Sequence, residues 1–223
     1  MSTVVSLENT AELTGGTQRR VFLHPHDSTK IIKVLRPMPL RKGRSWLASW
    51  AERNVPAFRH RWTRKEYGEY LRLMLRKDAG LKDPPIAHMY GFVRTSEGLG
   101  CMSDAVMEGD LLGPTLQDKI INRTLSPDDL ALFNDSIQRL YYFDIRAGDM
   151  TARNFVFGHR NYGAGAGLRE CVLVDGFGDI HAIPIRSAGR FLNRFGLDDG
   201  CTRLAKRTGL SWDKSTKLFS TAP

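Results

Sequence analysis

Asp149-Met150-Thr151-Ala152-Arg153-Asn154-Phe155-Val156-Phe157 is the stretch on which the reading of this chain turns. An acid and an amide, spaced D-x4-N, stand directly ahead of a short apolar run. A second run, Cys171-Val172-Leu173-Val174, follows the glycine-rich Asn161–Gly167 and closes in Asp175-Gly176-Phe177-Gly178. Two short apolar runs flanking turn residues predict a β-hairpin. Asp and Asn are common turn residues, so each piece alone says little and the order carries the weight. Upstream, Lys33 stands inside Ile31-Ile32-Lys33-Val34-Leu35. A buried ammonium needs a carboxylate partner; an outward-facing lysine on a strand edge is the other reading of the same residues. Glu66 and Glu69 are three apart and share a helix face. They open a helix expected over 63–77, with Tyr67, Tyr70, Leu71, Met74 and Leu75 as its apolar stripe. Strand lysine, helix glutamate, D-x4-N, hairpin and Asp-Gly turn thus occur in sequence. That is the ordered part list of a phosphoryl-transfer site: a cation for phosphates, an orienting carboxylate, a base and two metal ligands.

Outward from these motifs, the first ~110 residues read as mostly β. Val21–Leu23 and Ile31–Leu35 flank the turn-like His24-Pro25-His26-Asp27-Ser28, and the runs 86–93 and 101–107 flank Glu97-Gly98. His24-Pro25-His26 has no companion Cys or His cluster and reads as a turn, not a metal site. The middle is helical. Ser126-Pro127-Asp128-Asp129 supplies an N-cap, a proline at the first helical position and acids in the first turn. Leu130, Phe133, Ile137, Leu140 and Tyr141 mark one face, and the helix is expected to end before Gly148. Two short helical patterns follow, around 185–195 and 199–208. Gly163-Ala164-Gly165-Ala166-Gly167 lacks the helix and Lys-Ser/Thr of a P-loop and reads as a flexible hairpin loop.

Composition narrows the class. The 223 residues are 41% apolar and 26% charged, which excludes wholesale disorder, collagen and a disulfide scaffold. No apolar run approaches the ~20 residues of a membrane span, and the first residues do not read as a signal peptide. Three cysteines, Cys101, Cys171 and Cys201, without a C-x-x-C pair point to a reducing, cytoplasmic setting. The net charge is +9, and residues 36–65 hold nine Lys or Arg against one Glu, so that segment carries +8 of it. Trp46, Trp50, Phe58 and Trp62 are interleaved there. An acidic partner surface is one reading and a solvated helix with packed aromatics the other; nucleic acid is not favoured.

The motifs together resemble the bacterial YrbL family, the PhoP regulatory network proteins, whose members have a protein-kinase-like pattern. The resemblance rests on Leu13–Arg20, Phe22–Pro25, Ile32-Lys33-Val34, Arg64–Tyr70, Gly109–Gly113 with Thr115-Leu116, Asp149–Asn154 and Val174–Gly178. It implies an α+β, compact two-lobed protein-kinase-like fold: a β-rich N-lobe over 1–107 and a reduced helical C-lobe over 108–223. It implies an enzyme using ATP and Mg²⁺, with transfer of the γ-phosphoryl group to a hydroxyl, and a protein serine or threonine as acceptor. Gly15, Gly16 and Thr17 would form the loop over the phosphates, Lys33 the phosphate cation and Glu66 its helix partner. The linker from Asp104 through Val106 to Met107 would meet adenine. Asp149 would be the base, Asn154 and Asp175 the magnesium ligands. The usual His-Arg before the base is Ala147-Gly148, and the usual lysine two residues after it is Thr151; Arg153 would replace that cation. The metal turn carries an extra glycine, only 45 residues follow Gly178, and no Ala-Pro-Glu occurs. A compact bacterial effector kinase, delivered to a host cytosol, would have this form. A pseudokinase, a small-molecule kinase, or a basic RNA- or partner-binding protein on the same scaffold are the alternatives.

Overall fold

Three strands open the chain in the computed structural model, which describes residues 4–15, 19–36, 50, 60–76, 83–163, 166–179 and 189–221. They are β1 (Glu12–Gly15), β2 (Arg19–His24) and β3 (Asp27–Leu35). Then follow α1 (Arg61–Met74), β4 (Met89–Thr95), β5 (Gly98–Asp104), β6 (Met107–Glu108), β7 (Leu111–Leu112), α2 (Leu116–Ile121) and α3 (Pro127–Tyr142). A 3₁₀ turn (Ala152–Asn154), β8 (Phe155–His159), β9 (Arg169–Leu173), α4 (Arg190–Thr208), β10 (Leu210–Asp213) and β11 (Leu218–Thr221) complete it. The fold is α+β, β-rich first and helical later, as expected. Two compact units comprise Met1–Arg64 with Met89–Ala105, and Lys65–His88 with Val106–Pro223. The chain passes from the first unit to the second at Ala105–Val106, and residues 65–88 cluster with the second.

The first unit is an antiparallel sheet in the order β1-β2-β3-β5-β4. Alternation explains β3: Ile32 and Val34 point into a cluster with Phe22 and Leu7, while Lys33 takes the opposite face. Leu7 is placed by a segment the sequence reading left unassigned. The Val5 N–H donates to Arg94 O at 2.9 Å, and the Leu7 N–H to Ser96 Oγ at 3.0 Å. β3 is the central strand, so the edge placement of Lys33 is overturned.

In the second unit, Ser126 and Asp129 form the capping box that starts α3, which buries Phe133, Ile137 and Leu140. β8 and β9 make the expected hairpin, extended by β6 and β7 into a four-stranded sheet. Arg160, 2% exposed, reaches both Glu170 oxygens at 2.7 and 3.0 Å and the carbonyls of Pro84 and Ile86. It thereby ties 84–86 to the hairpin. The two short C-terminal helices are corrected to one, α4. Residues 185–188 of the first pattern lie outside the described residues; α4 runs unbroken through 196–198, where the two patterns were separated. Gly200 within it is a close approach: a Cβ there would stand 2.8 Å from Met150 Sδ. Leu197, Cys201 and Leu204 continue the buried stripe through it. β10 and β11, absent from the sequence reading, pack on α3 through Phe219, 4.9 Å from the Phe133 ring. All three cysteines are free and buried. Among the described residues, no helix is long and apolar enough to cross a membrane.

Candidate functional site

α3 runs out at Tyr142, and the chain turns through Asp144, whose φ is +52°. Two arginines of α1 and the turn after it receive this end: Arg72 Nη2 donates to Asp144 O at 2.8 Å and Arg76 Nη1 to Phe143 O at 2.7 Å. Carbonyls at a helix C-terminus lack intrahelical partners, and cations there are favoured by the dipole. Beyond the turn, Ala147 bridges to Phe177 and Gly178, so the strand-like lead into D-x4-N runs beside the Asp-Gly-Phe-Gly turn.

The two motifs are interlocked by backbone. The Asp149 N–H donates to Gly176 O (3.0 Å), and the Gly178 N–H to Arg146 O (2.5 Å). Asn154 sits at the end of the 3₁₀ turn, its N–H on Thr151 O (2.9 Å) and its Nδ2 on Asp149 O (3.0 Å). The Val174 N–H then donates to Asn154 O (2.8 Å). Asp149, Asn154 and Asp175 are therefore carried on backbone segments that bond to one another. The extra glycine of the turn has its reason here. Gly176 has φ +79°, and a Cβ would lie 2.5 Å from Asp149 O; only glycine takes that conformation and that approach cheaply.

The side chains divide by exposure. Asn154 is buried, Asp149 and Arg153 are exposed, and Asp175 is half-buried. Asp175 Oδ1 accepts the Gly176 N–H at 2.7 Å. Glu66, 4% exposed, also faces that turn, its Oε1 3.4 Å from the Gly176 N–H. In the first unit, Lys33 is half-buried on β3, in register with Val21 and Cys101. Gly15 pairs with Arg20 at the end of β1, while Gly16 and Thr17 lie outside the described residues. Asp104 is fully buried and accepts the Tyr90 hydroxyl at 2.9 Å. In the expected adenine linker, the Ala105 N–H is already bound to Thr29 O, and Val106 O to the Gly113 N–H. Most of the basic segment 36–65 also lies outside the described residues. Sequence reasoning gave no role to Arg146, and Glu69 entered it only beside Glu66, as a carboxylate one helical turn on and on the same face.

The donors on the two loops are hard oxygens, the kind Mg²⁺ accepts. The Asn154 amide nitrogen is spent on Asp149 O, which fixes the amide and sets its oxygen on the other side. With a carboxylate from Asp175, the protein offers two oxygen donors. Among the described residues no three His, Cys, Asp or Glu side chains converge. A small, hard cation held by one or two protein oxygens takes the rest of its shell from phosphate and water.

No curated protein matches the chain. Among solved structures, the kinase domain of Mycobacterium tuberculosis PknI, as a double mutant, is similar at 18% identity, covering 92% of this chain and 77% of its own, with a TM-score of 0.48. A family model described as "PhoP regulatory network protein YrbL" matches residues 5–209, and the chain belongs to that family.

Proposed function

We propose that the protein is an ATP-dependent phosphotransferase that phosphorylates a hydroxyl, with a protein serine or threonine as acceptor. The observation that carries this reading is the backbone interlock that holds Asp149, Asn154 and Asp175 on adjoining loops. Asp149, exposed at the end of an ordered lead-in, would orient the acceptor hydroxyl and take its proton. Asn154 and Asp175 would hold Mg²⁺, which when bound neutralises charge on the phosphates. Lys33 would supply a cation to the α/β-phosphates, and Arg153 the charge that Thr151 does not. A nucleotide-binding module without turnover is the second reading, favoured by Ala147-Gly148 where the resembling pattern has His-Arg.

One experiment separates them: purified protein with labelled ATP and Mg²⁺, scored for phosphate incorporation and melting temperature. A ligand that binds only the folded state raises Tm. Wild type is expected to show both signals. Lys33→Met should reduce the shift, and Asp149→Ala should keep the shift while cutting transfer by at least ~10²-fold, the reach of a general base. A shift without incorporation selects the binding module; neither signal rejects the nucleotide reading altogether.

A further inference from the structure

We infer that Glu69 is the positioning residue through which α1 fixes the backbone that carries Asp149. A glutamate three residues before an arginine on a helix is ordinarily a surface pair worth little. Glu69 is not at the surface: it is 3% exposed. Its Oε1 accepts Arg72 Nη2 at 2.6 Å and the backbone N–H of Arg146 at 2.9 Å. Its Oε2 faces Arg72 Nε at 3.0 Å and Arg146 Nη1 at 3.4 Å. Arg72 continues to Asp144 O. The pair Arg72–Glu69 therefore grips both ends of the segment 144–146, three residues ahead of Asp149. One turn earlier, Glu66 faces the Gly176 N–H, and Gly178 packs so closely on α1 that a Cβ would lie 2.8 Å from Lys65 O. Both loops thus take their position from one helix face. Charge-assisted bonds to a buried carboxylate are strong, and leaving a buried N–H without an acceptor is costly. A misplacement of about 1 Å at a reacting group costs on the order of 10²-fold in rate.

The structural half of this inference stands on the contacts alone; the catalytic half rests on the phosphotransfer reading. Glu69→Gln keeps an acceptor oxygen opposite the Arg146 N–H, whereas Glu69→Met removes it at similar volume. Amide hydrogen exchange is read first, without nucleotide. Glu69→Met is expected to speed exchange in 144–149 and 176–178 by about 10-fold or more, with β8 and β9 unchanged, and Glu69→Gln by less than about 3-fold. Phosphate incorporation from labelled Mg–ATP is read second. Glu69→Met should lower kcat about 10–100-fold with KM for ATP and the ATP-induced Tm shift retained, and Glu69→Gln should restore most of kcat. Unchanged exchange at 144–149, or a rise spread evenly over the second unit, overturns the inference. Localised exchange with undiminished kcat overturns its catalytic half. Should wild type neither transfer phosphate nor respond to ATP, the phosphotransfer reading fails while the exchange data still decide the role of Glu69. If Glu69→Met does not fold, Arg72→Met, which frees one side of the carboxylate, must show the same localised rise; its absence refutes the proposal.

Discussion

His88 shows how one side chain sets a pH limit on the fold. Its ring stacks on Tyr162 with centroids 3.4 Å apart, and Tyr70 Oη lies 2.5 Å from its Nδ1. Burial, and then the charge of Arg160, push its pKa down to about 4, so the folded protein holds the ring neutral, hydrogen-bonded to the tyrosine hydroxyl. The unfolded chain binds a proton near pH 6.5 that the folded chain refuses. Stability from this group is therefore complete above about pH 6.5 and falls as the pH drops toward 4. Urea unfolding from pH 7 to 4.5 should show this slope, and His88→Asn should remove about one proton of it; equal slopes would mean that another group is responsible. Asp129 acts in a lower window. Burial opposes its charge, but hydrogen bonds from Arg169, Lys119 and Ser126 bring its pKa to about 2. Its contribution is present above about pH 4 and lost as pH falls through 2. Gly176 makes a stricter demand. Gly176→Ala must combine φ +79° with a 2.5 Å contact to Asp149 O, so unfolding free energy should fall by at least ~1–3 kcal/mol, the range for strained backbone, and phosphate transfer should go with it. Wild-type urea midpoint and activity in that variant would show that the two loops separate without consequence.

At the scale of elements, what the sequence disclosed was local and what it hid was long-range. α3 was legible from Ser126 because a capping box lies within four residues. The hairpin of β8 and β9 was legible for the same reason, and with it the positions of Asp149, Asn154 and Asp175. α4 was read as two short patterns, parted at 196–198, because the contacts that run its buried face through Leu197, Gly200 and Cys201 come from elsewhere in the chain, Met150 lying against Gly200 from fifty residues away. Glu69 and Arg146 are 77 residues apart, and no periodicity reports such a bond. The hairpin of β10 and β11 was missed because four-residue strands leave little alternation to read. It is held to α3 by a reciprocal pair: Asn134 Nδ2 donates to Phe219 O at 2.9 Å, and the Phe219 N–H to Asn134 Oδ1 at 2.7 Å. Asn134→Ala removes both bonds and leaves two half-buried backbone groups. It should cost about 1–3 kcal/mol in urea unfolding and speed exchange in 218–221 ahead of the rest of the second unit. A change below ~0.5 kcal/mol would mean that ring packing among Phe133, Trp212 and Phe219 holds the hairpin unaided.

Across the whole molecule, charge is distributed as unevenly as structure. The chain carries +9, yet residues outside 36–65 balance to +1. A protein whose surplus is spread meets a polyanion with any face; one whose surplus is concentrated meets it with one segment. The two cases give different salt behaviour. Exposed charges act within a Debye length, about 8–10 Å at physiological salt, so removing cations from the concentrated segment weakens attraction more than removing the same number elsewhere. Arg41, Lys42 and Arg44 replaced by Ser lower the net charge by three inside the segment. Lys206, Arg207 and Lys214, all exposed, lower it equally from the C-terminal region when replaced by Ser. On an immobilised polyanion such as heparin, the first variant should elute at clearly lower salt than wild type, and the second close to wild type. Equal shifts for the two variants would show that only total charge matters and that the clustering along the sequence makes no common surface.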